Sequence, residues 1–123
     1  MAVVNRVEEK AKVSIDDTIQ YQILTYCFFR DVQISGSDLK CLAELAKAGS
    51  VELTQFCKDV TDKDIFKSPQ SARNAITKAE KKNLVIKNGV NKKKISINPV
   101  MNVQTQGIVL LDYKILGSET QKS

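Results

Sequence analysis

Between residues 68 and 94 the chain concentrates side chains that donate and accept hydrogen bonds or carry positive charge. Gln70, Ser71, Arg73, Asn74 and Thr77 follow a Ser68-Pro69 step, and Lys78, Lys81 and Lys82 come next. Further on, Lys92, Lys93 and Lys94 run consecutively, with Lys87 a few residues before them. Amide side chains can pair a donor and an acceptor with an adenine edge, and a guanidinium can give two donors to guanine. Lysine ammoniums suit phosphate oxygens. These residue types point to recognition of a polyanion, nucleic acid first and an acidic membrane or protein second. A lysine-rich face kept for solubility is the plainer alternative.

Catalytic chemistry is poorly provided for. The 123 residues contain no histidine, so Ser-His and Cys-His pairs, a histidine proton shuttle and Cys/His zinc fingers are all excluded. Cys27, Cys41 and Cys57 are too widely spaced for a C-x-x-C motif and lie among apolar neighbours, which predicts buried, inert thiols. Asp59, Asp62 and Asp64 lack the glycine and terminal glutamate of a calcium loop and read as exposed turn residues. There is no glycine-rich nucleotide loop. We expect no catalytic residue, no metal ligand set and no cofactor.

The overall charge of +5 is an average over unlike parts. Lys58–Lys94 holds eleven basic and four acidic side chains, a local net of +7, which leaves −2 for the remainder. Within Arg73–Lys94 the balance is eight basic to one acidic. No apolar run exceeds four residues, so neither a membrane span nor a signal-peptide core is expected. With an odd cysteine count the chain reads as intracellular, in the cytoplasm.

Elements that must position the polar residues follow from periodicity. Residues 1–13 are polar and weakly patterned and read as a loose arm or a short lead-in. Asp16 and Asp17 can cap a helix to about Arg30, with Ile19, Ile23, Tyr26 and Cys27 at helical spacing. Ile19, Tyr21 and Ile23 also alternate with Gln20 and Gln22 as in a strand, but the run Tyr26–Phe29 breaks that alternation and favours helix. Tyr21, Tyr26, Phe28 and Phe29 are expected in the core, with a stacking platform for single-stranded nucleic acid as the alternative. Ser37 is placed to cap a helix with Leu39, Leu42, Ala43, Leu45 and Ala46 on one face, and Gly49 to stop it. Ser50 is placed to cap the next, with Leu53, Phe56, Cys57 and Val60 as its stripe, and Ile65-Phe66 to plug the core from the connection that follows.

Ser68-Pro69 is a favoured helix opening, because proline lacks the N–H that would be orphaned there. The helix it opens runs to about Asn83, with Ala72, Ala75, Ile76 and Ala79 inward and Gln70, Asn74, Thr77 and Lys81 outward. Leu84–Lys87 and Lys94–Asn98 flank an Asn88-Gly89 loop and read as a hairpin that Pro99 ends. Ile108–Leu116 is the most apolar segment and reads as a strand, either a third strand for the hairpin or a surface for a second copy.

This order resembles the winged helix-turn-helix superfamily of DNA-binding domains over roughly residues 37–99. The resemblance rests on Ser68-Pro69-Gln70-Ser71-Ala72-Arg73-Asn74-Ala75-Ile76 followed by Lys81-Lys82-Asn83-Leu84-Val85-Ile86-Lys87. It departs from that pattern at the long connection Thr61–Lys67. The superfamily implies a mainly helical α+β fold: a three-helix core with a hairpin wing at 84–99. Residues 1–36 add an arm and a helix, and residues 100–123 a strand and tail, within one domain. It also implies double-stranded DNA as partner, helix 69–82 in the major groove and the wing on the flanking backbone. Small regulators and replication proteins of bacteria, plasmids and phages use this layout. The expected function is therefore non-enzymatic, sequence-specific DNA binding by a transcriptional regulator. The expected contacts are Gln70, Ser71, Arg73, Asn74, Thr77, Lys78, Lys81, Lys92, Lys93 and Lys94, with a homodimer through Ile108–Leu116. The alternatives are a structural, packaging or adaptor protein that docks an assembly partner, and a replication-initiation factor.

Overall fold

Ser14 begins the first helix by accepting a hydrogen bond from the Asp17 N–H, and Asp16 and Asp17 fall in the first turn instead of at the cap. The helix, α1 (Ile15–Phe29), is thereby placed in a computed structural model that describes residues 4–9, 14–106 and 111–116. α2 (Gly36–Ala48) is capped by Ser35, two residues earlier than expected, and closes at Gly49, whose φ of 82° is readily available to glycine. The cap of α3 (Leu53–Asp62) is Glu52, whose side chain accepts from the Gln55 N–H. Asp59 and Asp62 therefore stand on a helix, exposed, and only Asp64 lies in the turn after it. α4 (Pro69–Lys81) starts as the Ser-Pro step requires, with Ser68 Oγ accepting from the Ser71 N–H. It ends two residues before Asn83, which takes a φ of 63° while the Leu84 N–H returns to the Ala79 carbonyl.

The sheet is small. Numbering strands in chain order, β1 is Val4–Glu9, β2 Val51–Glu52, β3 Val85–Asn88, β4 Lys94–Ile97 and β5 Leu111–Leu116. β3 and β4 form the expected hairpin, pairing Val85 with Ile97 through Asn88 with Lys94. The third strand on this hairpin is β2, which pairs Val51 with Ile95 and Glu52 with Lys94, so the order is β2-β4-β3. The expectation that the C-terminal segment would supply that strand is corrected: β5 pairs antiparallel with β1, from Val4–Leu116 to Glu9–Leu111. Residues 4–9 are thus a strand and not part of a loose arm.

One apolar core joins these elements. Ile19, Ile23 and Cys27 of α1 meet Leu42 and Leu45 of α2, Phe56 and Val60 of α3, Ile76 of α4, and Leu84, Val85 and Ile95 of the hairpin. Removing each of the large aliphatic side chains from water contributes about 1.5–3 kcal/mol. Ile65 and Phe66 are half-buried against this core, as expected. Tyr21, Phe28 and Phe29, expected inside, are exposed, because the inward stripe of α1 is already filled by Thr18, Ile19, Ile23 and Cys27. The segment after the hairpin is held to α1 by two hydrogen bonds: the Gln104 N–H donates to Gln22 Oε1 at 2.7 Å, and Gln22 Nε2 donates to the Gln104 carbonyl at 2.8 Å.

α1 and α2 are also joined through charge. Lys47 bridges Asp16 at 2.6 Å and Glu44 at 3.0 Å, and Lys63 from the end of α3 reaches Glu44 as well. Burial alone would raise the Glu44 carboxyl, but the hydrogen bonds from Lys63 and Lys47 outweigh it and leave it below its ordinary value of 4.5. A depressed carboxyl adds stability that is complete above the unfolded value and is lost as pH falls through the folded one. The melting temperature should therefore drop as pH is lowered from about 5 to about 3, and Glu44→Gln should flatten that drop. An unchanged acid profile in the variant would remove this network from the account.

Candidate nucleic-acid interface

Alanine decides how α4 sits. Its inward positions are Ala72, Ala75, Ile76 and Ala79, all buried, so the helix lies close against α3 while its outer face stays open. On that face Gln70, Ser71, Asn74, Thr77, Lys78 and Lys81 are all exposed. Gln70 Nε2 donates to Asn74 Oδ1 at 2.9 Å, a pairing that i,i+4 spacing allows. The bond leaves Asn74 Nδ2 as a donor and Gln70 Oε1 as an acceptor, side by side. Ser71 Oγ lies 3.1 Å from Ser68 Oγ, and Thr77 Oγ1 donates back to the Arg73 carbonyl at 3.0 Å. Proline at the first position and the Ser68 cap together leave the Gln70 N–H as the first-turn donor without an intrachain acceptor among the described residues.

Arg73 occupies a different place from its neighbours. It is half-buried, and its Nη2 donates to Thr54 Oγ1 at the start of α3, at 3.2 Å. Glu52, Leu53, Thr54, Arg73, Lys92 and Lys93 line one notch of about 260 Å³, so one carboxylate stands among its three cations. The wing tip reaches this notch because the Leu53 N–H donates to the Lys93 carbonyl at 2.9 Å and β2 pairs with β4 beside it. Thr54 and Glu52 were not among the expected site residues. Their place here depends on a two-residue strand that leaves no periodic trace in sequence.

The tip turns through Gly89 at φ 82° and a short 3-10 turn, Val90–Lys92, with Asn91 and Lys92 both at positive φ. A side chain at Gly89 would crowd the aliphatic stem of Lys94, 3.1 Å from its Cγ. Lys92, Lys93 and Lys94 are exposed.

Ion pairs divide the basic residues into two groups. Lys78 bridges Asp38 of α2 at 2.8 Å, Lys87 bridges Glu80 at 3.4 Å, and Lys82 Nζ donates to the Gln33 carbonyl at 2.7 Å. Lys78 is thus brought to α2 and not left with the outer row. Lys81, Lys92, Lys93 and Lys94 have no carboxylate partner among the described residues. Of the expected site residues, then, Gln70, Ser71, Asn74, Thr77 and Lys81 share the open face of α4, and Arg73, Lys92 and Lys93 share the notch. The expected dimer surface is only partly described: residues 111–116 pair with β1 of the same chain, and residues 108–110 lie outside the described residues.

Helices α2, α3 and α4 followed by the β3–β4 hairpin, with β2 completing the sheet, make this a winged helix. A solved structure, a zinc uptake regulator in complex with zinc and DNA, has a similar fold: TM-score 0.58 at 11% identity, over 81% of this chain and 73% of that one. At that identity the likeness is one of fold. No protein-family model matches the chain, and no curated protein does. Among the described residues no group of three or more His, Cys, Asp or Glu is placed to hold a metal ion, and no helix is long and apolar enough to cross a membrane.

The three thiols are free and buried, as their apolar neighbours predict. Burial pushes Cys41 up to about 12, with Asp38, Cys57 and Glu44 adding in the same direction. Burial also raises Cys27 and Cys57, partly offset by Lys82 and Arg73 respectively. Because the thiolate is the reactive form, the native protein should react slowly with Ellman's reagent at about pH 8 and release all its thiols in denaturant. A fast native thiol would contradict this placement.

Proposed function

We propose that the chain is a sequence-specific double-stranded-DNA-binding protein, acting as a transcriptional regulator, with α4 in the major groove and the wing on the flanking backbone. The observation that carries this reading is the junction of an open, amide-bearing face on α4 with a basic notch that the wing closes. An α-helix fits the major groove, and adenine presents there an acceptor at N7 and a donor at N6. The donor of Asn74 and the acceptor of Gln70, fixed by their mutual bond, complement that pair. Ser71 and Thr77 flank them and suit phosphate oxygens or base edges.

The position of Arg73 favours a different role from the guanine contact its type first implies. Held at Thr54 beside Lys92 and Lys93, it is placed to clamp a phosphate where the backbone passes between α4 and the wing. Lys81 and Lys94 extend the same contact. Lys78 is committed to Asp38 and would join only by exchanging that bridge. The DNA held by the structurally similar zinc uptake regulator supports the same use of the fold. The zinc of that protein is not part of the proposal, since this chain has no histidine to offer. The same lack, with thiols held in their protonated form, supports binding over catalysis.

Five cations, Arg73, Lys81, Lys92, Lys93 and Lys94, should give log K a slope of about −4 to −5 against log salt concentration for each protomer. A binding selection from random duplexes at two salt concentrations should return a preferred site containing adenine. Asn74→Ala should lower the preference for that site by about 1–3 kcal/mol. Arg73→Ala and Lys93→Ala should instead weaken all sequences alike and reduce the slope by about one each. A flat salt response would overturn the proposal. Equal effects of all three variants on specific and random DNA would overturn the division of roles.

A further inference from the structure

α1 is apolar on both sides, and the core uses only one. Thr18, Ile19, Ile23 and Cys27 face inward. The outer side carries Tyr21, Leu24, Phe28 and Phe29, exposed by 50, 47, 77 and 75%. The two phenylalanine rings pack edge to face at 5.6 Å, forming a ridge. The ridge forms one side of a groove of about 700 Å³, which Tyr21, Leu24, Val32 and Ile34 also line. Among the described residues, no charged side chain lines it.

We propose that this face is where two copies of the chain meet, α1 against α1 across a two-fold axis. Two observations select a second copy over another occupant. First, the patch contains both a ridge and a groove next to each other. A two-fold axis sets each surface against itself, so it needs a patch that is its own complement, and here the ridge of one copy can fill the groove of the other. Second, the area fits. From their exposures the four side chains alone would remove about 500 Å² per copy from water, more than half of the ~800 Å² per partner of a standard interface. The segment 32–34 and neighbouring polar positions of α1 would supply the rest. The absence of charge on the lining means that neither copy repels the other, and no acidic or basic partner is specified.

A pair formed this way gives a two-fold arrangement of α4 and the wing without using β5. The inference stands on α1 alone and does not require the DNA reading.

Sedimentation velocity on the full chain tests it. The wild type should sediment as a dimer, and the double variant Phe28→Glu/Phe29→Glu as a monomer with an unchanged circular-dichroism spectrum. Leu24→Cys, near the proposed axis, should form an intermolecular disulfide under mild oxidation while the three buried thiols stay reduced. A wild type that is monomeric at its highest soluble concentration would overturn the proposal and assign the face to a different protein. A double variant that remains dimeric, or a Leu24→Cys chain that does not cross-link, would move the interface elsewhere. Binding of a duplex carrying a single half-site should survive in the monomeric variant, so loss of the dimer and loss of DNA binding are read separately.

Discussion

The pairing of β2 with β4 is the joint on which the candidate interface depends. It involves two residues on one side, Val51 and Glu52, and two on the other, Ile95 and Lys94. Each backbone hydrogen bond in such a joint nets only about 1 kcal/mol. Its effect on geometry is much larger, because Glu52 is also the cap of α3 and Leu53 donates to the carbonyl of Lys93. One short stretch of backbone therefore fixes the start of α3 and the tip of the wing against each other. Thr54 follows directly, and Arg73 of α4 reaches it. Helix, wing and notch are held in register by this backbone joint, which Ile95 and Val51 tie to the core.

Packing does the complementary work on the opposite side of α4. Three alanines let the helix lie close to α3, and Ile76 supplies the one large anchor in the core. With little side-chain volume spent inward, the outward row is left to hydrogen-bonding groups. Charge is then pruned: Asp38 and Glu80 take Lys78 and Lys87, and Gln33 takes Lys82. Of the basic residues in Lys58–Lys94 that have no carboxylate partner among the described residues, Arg73, Lys92, Lys93 and Lys94 stand together at the notch and the wing. What matters for a polyanion is this smaller set, since a bridged lysine must first give up its carboxylate.

Much of this was legible before any coordinates. The Ser68-Pro69 step, the alanine stripe behind it and the Asn-Gly hairpin are local signals, and each produced the expected element within a residue or two. Helix starts were harder: Ser14, Ser35 and Glu52 cap where Asp16, Ser37 and Ser50 had been expected, because several polar residues in a row can each serve and packing chooses among them. Pairings between distant segments were not legible. β2 is too short to carry a period, and β1 finds its partner at the far end of the chain. The exposed side of α1 misled for a physical reason. An apolar residue signals burial, but not whether the burial is against the same chain. The type of Arg73 suits a base edge, while its surroundings set it beside Thr54, Lys92 and Lys93, a placement that no local pattern announces.

The most direct test of the interface is residue-resolved. Amide chemical shifts of the labelled protein should be followed during titration with a short random duplex at low salt. The account predicts changes concentrated in residues 69–81 and 90–94 and at Thr54, with the side-chain amides of Gln70 and Asn74 moving and α1 undisturbed. Changes that instead cluster on α1 and around Val32–Ile34, or that leave the wing tip unaffected, would contradict it.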